Sequence, residues 1–456
     1  MSGEIHHGTE YVTEKKSSEQ RRRMGRSLRD SVPLESHGEW EAPAERLDPI
    51  SRLHEDDNTR VPVLVPVRYE RMLQSPFAFL RGAAAIMADD LATTPNIGVR
   101  VQTCGDAHLG NFGIFATPER NLHFDITDFD ETLPAPWEWD VKRLAASVQV
   151  AADSLGMDGT QTADSVAGTV RAYRERMRDL AELGPLEVWY DRIEVQRVLE
   201  IARQRKAKDL KRALRVEKVR QRTSLTALPR LTAYNEGGRR IVDDPPIIDH
   251  EDPEAQEGAR MISSYAQTLP ADRRILLEQY VVIDTARKVV GVGSVGTRCF
   301  LSLLMDPDGR TPIFLQLKEA KEGALARHAG RSEYPNQGQR VVVGQRLMQA
   351  ASDIFLGWTT FRGHDYYVRQ FRDMKGSVEI EAMQPIGFAA YCEVCGSTLS
   401  RAHARSGHAA TISGYLGNST KFDDAMVLFA AKYGEQTRLD YQALVSAEKT
   451  REEIGS

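Results

Sequence analysis

A chain of 456 residues, 41% of them hydrophobic, can bury one large core or two to three smaller ones. Its 60 Lys and Arg against 65 Asp and Glu give a formal charge of -5, which excludes bulk attraction to nucleic acid or anionic lipid, so any basic site must be local. Four cysteines are too few for a disulfide framework; no apolar run reaches membrane-spanning length and the start is not signal-like, so membrane insertion is not expected and the expected location is the cytoplasm.

Residues 1–56, rich in charge, Gly, Ser and Pro, read as a mobile or surface-wrapping arm. Residues 57–230 read as a helical lobe. SPFAFLRGAAAIMADDLA opens with a Ser cap and a Pro in the first turn, and VRVQTC and LHFDIT have the patterns of strands. From Trp137 three or more helices follow, the last carrying a Lys/Arg run from Arg203 to Arg222 that reads as a solvated face. Residues 231–285, with Gly, Pro and Asp clusters, read as a connecting segment. Residues 286–378 have the composition of a small sheet with one helix, QGQRVVVGQRLMQAASD, and residues 379–456 are helical again. Cys392 and Cys395 form a lone CxxC, read as two core-facing side chains on a helix.

The chemistry concentrates in CGDAHLGNFG and LHFDITDFDET. Asp106 and Asn111 stand five positions apart across a Gly-containing loop, and Asp128 follows after one intervening strand. Phosphoryl transfer needs a carboxylate to orient the attacking hydroxyl, an amide oxygen on magnesium and a second carboxylate between metal and phosphates. This spacing can place all three at one end of a hairpin. Later, GVGSVGTRCF offers Gly291, Gly293, Ser294 and Gly296 between two strands, with no helix opening from them as a dinucleotide fold requires. The next apolar strand ends on Lys318, which can reach phosphates.

GDAHLGN followed by Asp128 is similar to the catalytic loop and metal-binding Asp of protein kinases and, more closely, aminoglycoside phosphotransferases. The resemblance implies Asp106 as catalytic base, Asn111 and Asp128 as metal ligands, His108 as a support of the loop, Asp130 as a helper and Asp140 as a structural carboxylate at the start of a helix. Two departures stand out. The helix after Lys318 contains no Glu to pair with it, leaving Glu319, Glu322, Glu333 or Gln345 as substitutes, and the Gly-rich segment follows the catalytic loop instead of preceding it, which implies circular permutation. From about Val67 to Tyr441 the chain also resembles the bacterial domain of unknown function 2252 family, through SPFAFLRGAA, DFDETLPAPWEWDVKRLAAS, QRLMQAASDIFLGW and RAHARSGHAATISGYLG.

The expected fold is therefore α+β: a protein-kinase-like two-lobe fold, circularly permuted, with a large helical lobe and a small β-rich lobe encoded later. The expected activity is ATP- and magnesium-dependent transfer of a phosphoryl group to an unidentified hydroxyl acceptor. Two alternatives remain from the residues alone: a metal-dependent phosphohydrolase using Asp106, His108, Asp125, Asp128 and Asp130, and a non-catalytic nucleotide-binding protein.

Overall fold

The computed structural model describes residues 16–455 apart from positions 237, 290, 292, 294 and 372; the first fifteen residues of the arm, and Ser294, lie outside the described residues. The chain is mixed α+β. Its strands are β1 Arg100–Thr103, β2 Phe112–Ala116, β3 Leu122–Ile126, β4 Leu133–Pro136, β5 Thr232–Asn235, β6 Gly238–Ile241, β7 Ile248–Asp249, β8 Val281–Lys288, β9 Cys299–Met305, β10 Pro312–Glu319, β11 Gly357–Phe361, β12 His364–Gln370 and β13 Gly376–Ser377.

The helical body is centred on the helix Trp137–Ser154, which is apolar or polar-but-paired on nearly every face and is buried almost all round. The helices Gly159–Leu180, Pro385–Ser406 and Lys421–Gly455 surround it. Trp137 stacks on Tyr173 with ring centroids 5.7 Å apart, and Arg174 meets Asp423 at 2.7 Å. Cys392 and Cys395 are buried on the inner side of Pro385–Ser406. Residues 16–56 lie against this body. Gly25 sits where a Cβ would be 2.1 Å from the Thr411 carbonyl oxygen, His37 and Trp40 are buried, and Arg46 binds Asp90 at 2.7 Å and Asp440 at 2.6 Å.

Among the described residues a six-stranded antiparallel sheet runs β11-β12-β10-β9-β8-β7. Both faces are covered, which explains why β9 is apolar with almost no alternation. Phe300 and Leu304 join Ile262, Tyr265 and Leu315 on one face, while Leu301, Leu303 and Met305 join Leu231, Ile241 and Phe314 on the other. Phe314, Gln316 and Lys318 alternate with Leu315 and Leu317 along β10, so Lys318 points away from the Tyr265 cluster.

Three expectations need correction. The segment 231–285 does more than connect: the helix Gly258–Ala266 supplies Met261, Ile262 and Tyr265 to the sheet's core, and β8 already starts at Val281. The basic helix is broken into Val195–Gln204, Lys208–Leu214 and Val216–Arg220, with Arg215 in the left-handed region at φ 47° where no Gly or Pro marks the break. Strands β2 and β4 are not expected from the sequence, nor are β5, β6 and β7 inside the connecting segment; β4 is LPAP, tolerable because it pairs on one side only, with β1. Among the described residues no helix is long and apolar enough to cross a membrane.

Candidate functional site

The hairpin of β2 and β3 sets the geometry. Phe112 pairs with Ile126, so Asn111 and Asp128 flank the same end of the ladder, and the Thr127 amide donates to the Asn111 carbonyl at 2.8 Å. Asp106 joins them through the turn before β2, where the Asn111 Nδ2 donates to its carbonyl oxygen at 2.8 Å. That bond uses the amide nitrogen, and among the described residues no hydrogen bond uses the Asn111 Oδ1.

One face of the helix Trp137–Ser154 holds the loop. Asp140, Arg143 and Ser147 recur at i, i+3 and i+7, the spacing of a single helical face. Asp140 accepts from the Cys104 and Gly105 amides at 2.8 and 3.0 Å, and His403 lies 3.1 Å from the same carboxylate. Arg143 donates twice to the Asp106 Oδ1, at 2.8 and 2.5 Å, and the Ser147 hydroxyl accepts from the Leu109 amide at 3.1 Å. Burial works to raise the Asp106 carboxyl, but Arg143 and His108 outweigh it and hold it well below the usual carboxylate range. Burial keeps His108 below the ordinary histidine value, so it packs beside Asp106 as a neutral ring 3.4 Å away. Asp140→Asn is expected to destabilise the protein by about 2 kcal/mol, since two charge-assisted bonds to buried amides are weakened. Urea denaturation measures this, and an unchanged midpoint would mean the loop is held elsewhere.

Lys318 arrives from the sheet. Its ammonium, 2% exposed, donates to Asp130 and lies 3.8 Å from Asp128, while Tyr367 on the neighbouring strand donates to Asp130 at 2.7 Å. Burial disfavours its charge, and the Asp128 and Asp130 carboxylates outweigh that and hold it above the usual lysine range. Burial likewise pushes Asp128 up, but Lys318, Arg369 and Lys375 pull it down to about 2. The partner of Lys318 is thus an aspartate pair from the loop between β3 and β4. Glu319 instead binds Arg298 and Gln345 binds Gln349. The helix Gln337–Met348 contributes Arg340, which donates to the carbonyls of Asp130, Thr132 and Lys321 at 2.8, 2.6 and 2.7 Å and ties the segment after β10 to the loop before β4 at the site's edge.

The Gly-rich turn between β8 and β9 completes a cavity of about 1110 Å³ that Asp106, Asn111, Asp128, Asp130, Gly291 and Gly293 all border. Gly291 and Gly296 have φ of 70° and 91°, conformations that favour glycine. The turn is pinned by residues early in the chain: Arg71 donates to the Gly291 carbonyl, Arg60 to those of Gly293 and Val295 at 2.9 and 2.6 Å, and the Val61 amide to that of Gly296 at 2.7 Å. Glu131 also borders the cavity, and burial pushes its carboxyl up to about 7.

Asp125 does not join the cluster. It is buried, bound by Arg401 at 2.6 Å and by the Ile126 and Ala350 amides. Among the described residues no group of three or more His, Cys, Asp or Glu side chains could hold a metal ion. Asn111 and Asp128 remain as donors for a hard cation that draws its other oxygens from phosphate or water, as magnesium does. Residue-type reasoning passed over Arg143, Arg340, Glu131 and Tyr367. Arg143 was readable, since a polar stripe on an otherwise apolar helix must face something polar.

Fold and site define an α+β protein whose antiparallel sheet and helical body share one cavity of mixed charge, with a buried lysine paired to two of the acids that border it. The chain belongs to the family described as "Uncharacterized protein conserved in bacteria (DUF2252)", which it matches over residues 60–447. No curated protein and no solved structure matches it.

Proposed function

We propose that this protein is an ATP- and magnesium-dependent phosphotransferase with a kinase-like, circularly permuted two-lobe fold, acting on a hydroxyl acceptor. The observation that carries this reading is the shared cavity: the Asp106–Asn111–Asp128 group and the Gly291–Gly293 turn come from opposite halves of the chain and border one space. A strand, a Gly-rich turn, two strands with a buried Lys, a helix and two further strands follow in the order a kinase small lobe uses.

In this reading Asn111 and Asp128 hold magnesium, which when bound offsets phosphate charge, and the backbone of the Gly-rich turn lies against the phosphates. Lys318 keeps Asp128 ionised and places a positive charge beside both Asp128 and Asp130. Asp106, fixed by Arg143 and kept anionic, accepts a hydrogen bond from the acceptor hydroxyl and aims its oxygen; a carboxylate this acidic orients more than it abstracts. The phosphohydrolase alternative loses a proposed ligand, because Asp125 is committed to Arg401.

ATP with magnesium is expected to raise the melting temperature of the wild-type protein by several degrees, and Asp128→Ala to lose most of that shift. No response to ATP, together with stabilisation by a transition metal alone through Asp128, would replace this reading with a metal hydrolase.

A further inference from the structure

Cations around the cavity come matched with partners. Arg143 binds Asp106, Arg60 binds Asp56 and the Gly-rich turn, Arg298 binds Glu319, and Lys318 binds Asp130. Arg81 breaks the pattern. It borders the cavity, yet among the described residues no hydrogen bond or ion pair engages its guanidinium, and its Nε is buried without a partner. The Phe77 ring, 5.9 Å from the Arg81 Cζ, is its nearest attractive neighbour of that kind. A partly desolvated guanidinium without a protein partner costs free energy that an anion in the cavity would return.

Its position says which anion. Arg81 stands near the end of the helix Pro76–Gly82, wedged between the two loops of the site. A Cβ on Gly110 would come 3.3 Å from the Arg81 Nε and 3.1 Å from the His108 Cε1, so the glycine makes room for the guanidinium beside the Asp106 loop. On the other side, a Cβ on Gly293 would come 3.0 Å from the Arg81 carbonyl oxygen. The backbone is pinned on both flanks, with Arg143 donating to the Leu80 carbonyl at 2.7 Å and Arg68 to that of Gly82 at 2.9 Å. A fork of donors held between a Gly-rich turn and a hydroxyl-orienting carboxylate lies where a phosphoryl group in flight must pass.

We propose that Arg81 is a clamp, supplied within the chain, for the transferring phosphoryl group of the nucleotide; this rests on the phosphotransferase reading above. As the acceptor oxygen bonds to the γ-phosphorus, the bond to the β,γ-bridging oxygen breaks and that oxygen keeps the electron pair as ADP departs. The hydroxyl proton leaves by way of the Asp106 carboxylate to water. Arg81 donates to the γ-phosphoryl oxygens, on which charge is spread during transfer.

Calorimetric titration of wild type, Arg81→Ala and Arg81→Lys with ATP and with ADP, each with magnesium, tests this. Arg81→Ala is expected to weaken ATP tenfold or more and ADP less than twofold, with Arg81→Lys between, while the melting temperature without nucleotide stays unchanged or rises. Equal losses for the two nucleotides, no loss for either, or a melting temperature lowered by several degrees would overturn the clamp. A wild-type protein that binds neither nucleotide would overturn the phosphotransferase reading beneath it.

Discussion

Lys318→Met is expected to cost on the order of 3–5 kcal/mol at neutral pH and to reverse the protein's response to acid. Deleting one partner of a buried ion pair leaves the other uncompensated, and here two carboxylates, Asp128 and Asp130, lose their shared cation while still facing one another. In the wild type, Asp128 titrates at about 2, below its value of about 3.9 in an unfolded chain. Its contribution is therefore fully present above that unfolded value and is lost as pH falls through the folded one. Without Lys318 the like charge of Asp130 pushes Asp128 upward, so the variant gains stability relative to wild type as pH is lowered from 7 toward 4. Denaturant titrations of both proteins at pH 7, 5.5 and 4 measure the difference. Equal stability at pH 7 would mean that Arg369 and Lys375 neutralise the carboxylates unaided.

Gly105→Ala should be comparably damaging for a different reason. At φ 79° an alanine is strained, and its Cβ would sit 2.2 Å from the Glu131 carbonyl oxygen and 2.7 Å from its carbonyl carbon, backbone atoms that cannot swing aside. The same residue's amide is bound by Asp140. A loss of more than about 3 kcal/mol is expected, or failure to accumulate as folded protein. Gly98→Ala is the control, since Gly98 has φ 71° with nothing within 4 Å of a new Cβ, and only the conformational cost of about 1 kcal/mol applies. If the two variants lose the same stability, the tight seat of Gly105 against Glu131 contributes nothing.

Much of the site's layout was legible because it is local. Asp106, Asn111 and Asp128 share one end of a hairpin whose strands are short and apolar, and strand periodicity with loop length settles that arrangement. The Gly-rich turn between strands was readable from the absence of a following helix. What escaped was set by tertiary contact. Nothing near Lys318 in sequence names Asp130 as its partner, and the next helix, where a Glu would be expected, contributes Arg340 to the Asp130 carbonyl instead. Arg401 and His403 lie on a helix far along the chain, and only folding brings them to Asp125 and Asp140. Arg215 turns left-handed without a glycine, a break that local propensity does not announce.

Asp130 and Lys318 are 188 residues apart, with the acid first. During synthesis at roughly 5–20 residues per second, about 10 to 40 s separate the emergence of the two from the ribosome. Throughout that interval the nascent chain carries Asp128 and Asp130 without the lysine that neutralises them, and for most of it Arg60 and Arg71 are without the glycine turn whose carbonyls they bind. Assembly of the site is therefore electrostatic as well as hydrophobic. A chain stalled before Lys318 lacks not only that cation but also the helices Pro385–Ser406 and Lys421–Gly455, with Arg401 and His403 that hold Asp125 and Asp140, so charge pairing at the site and closure of the helical body both wait for the last third of the chain.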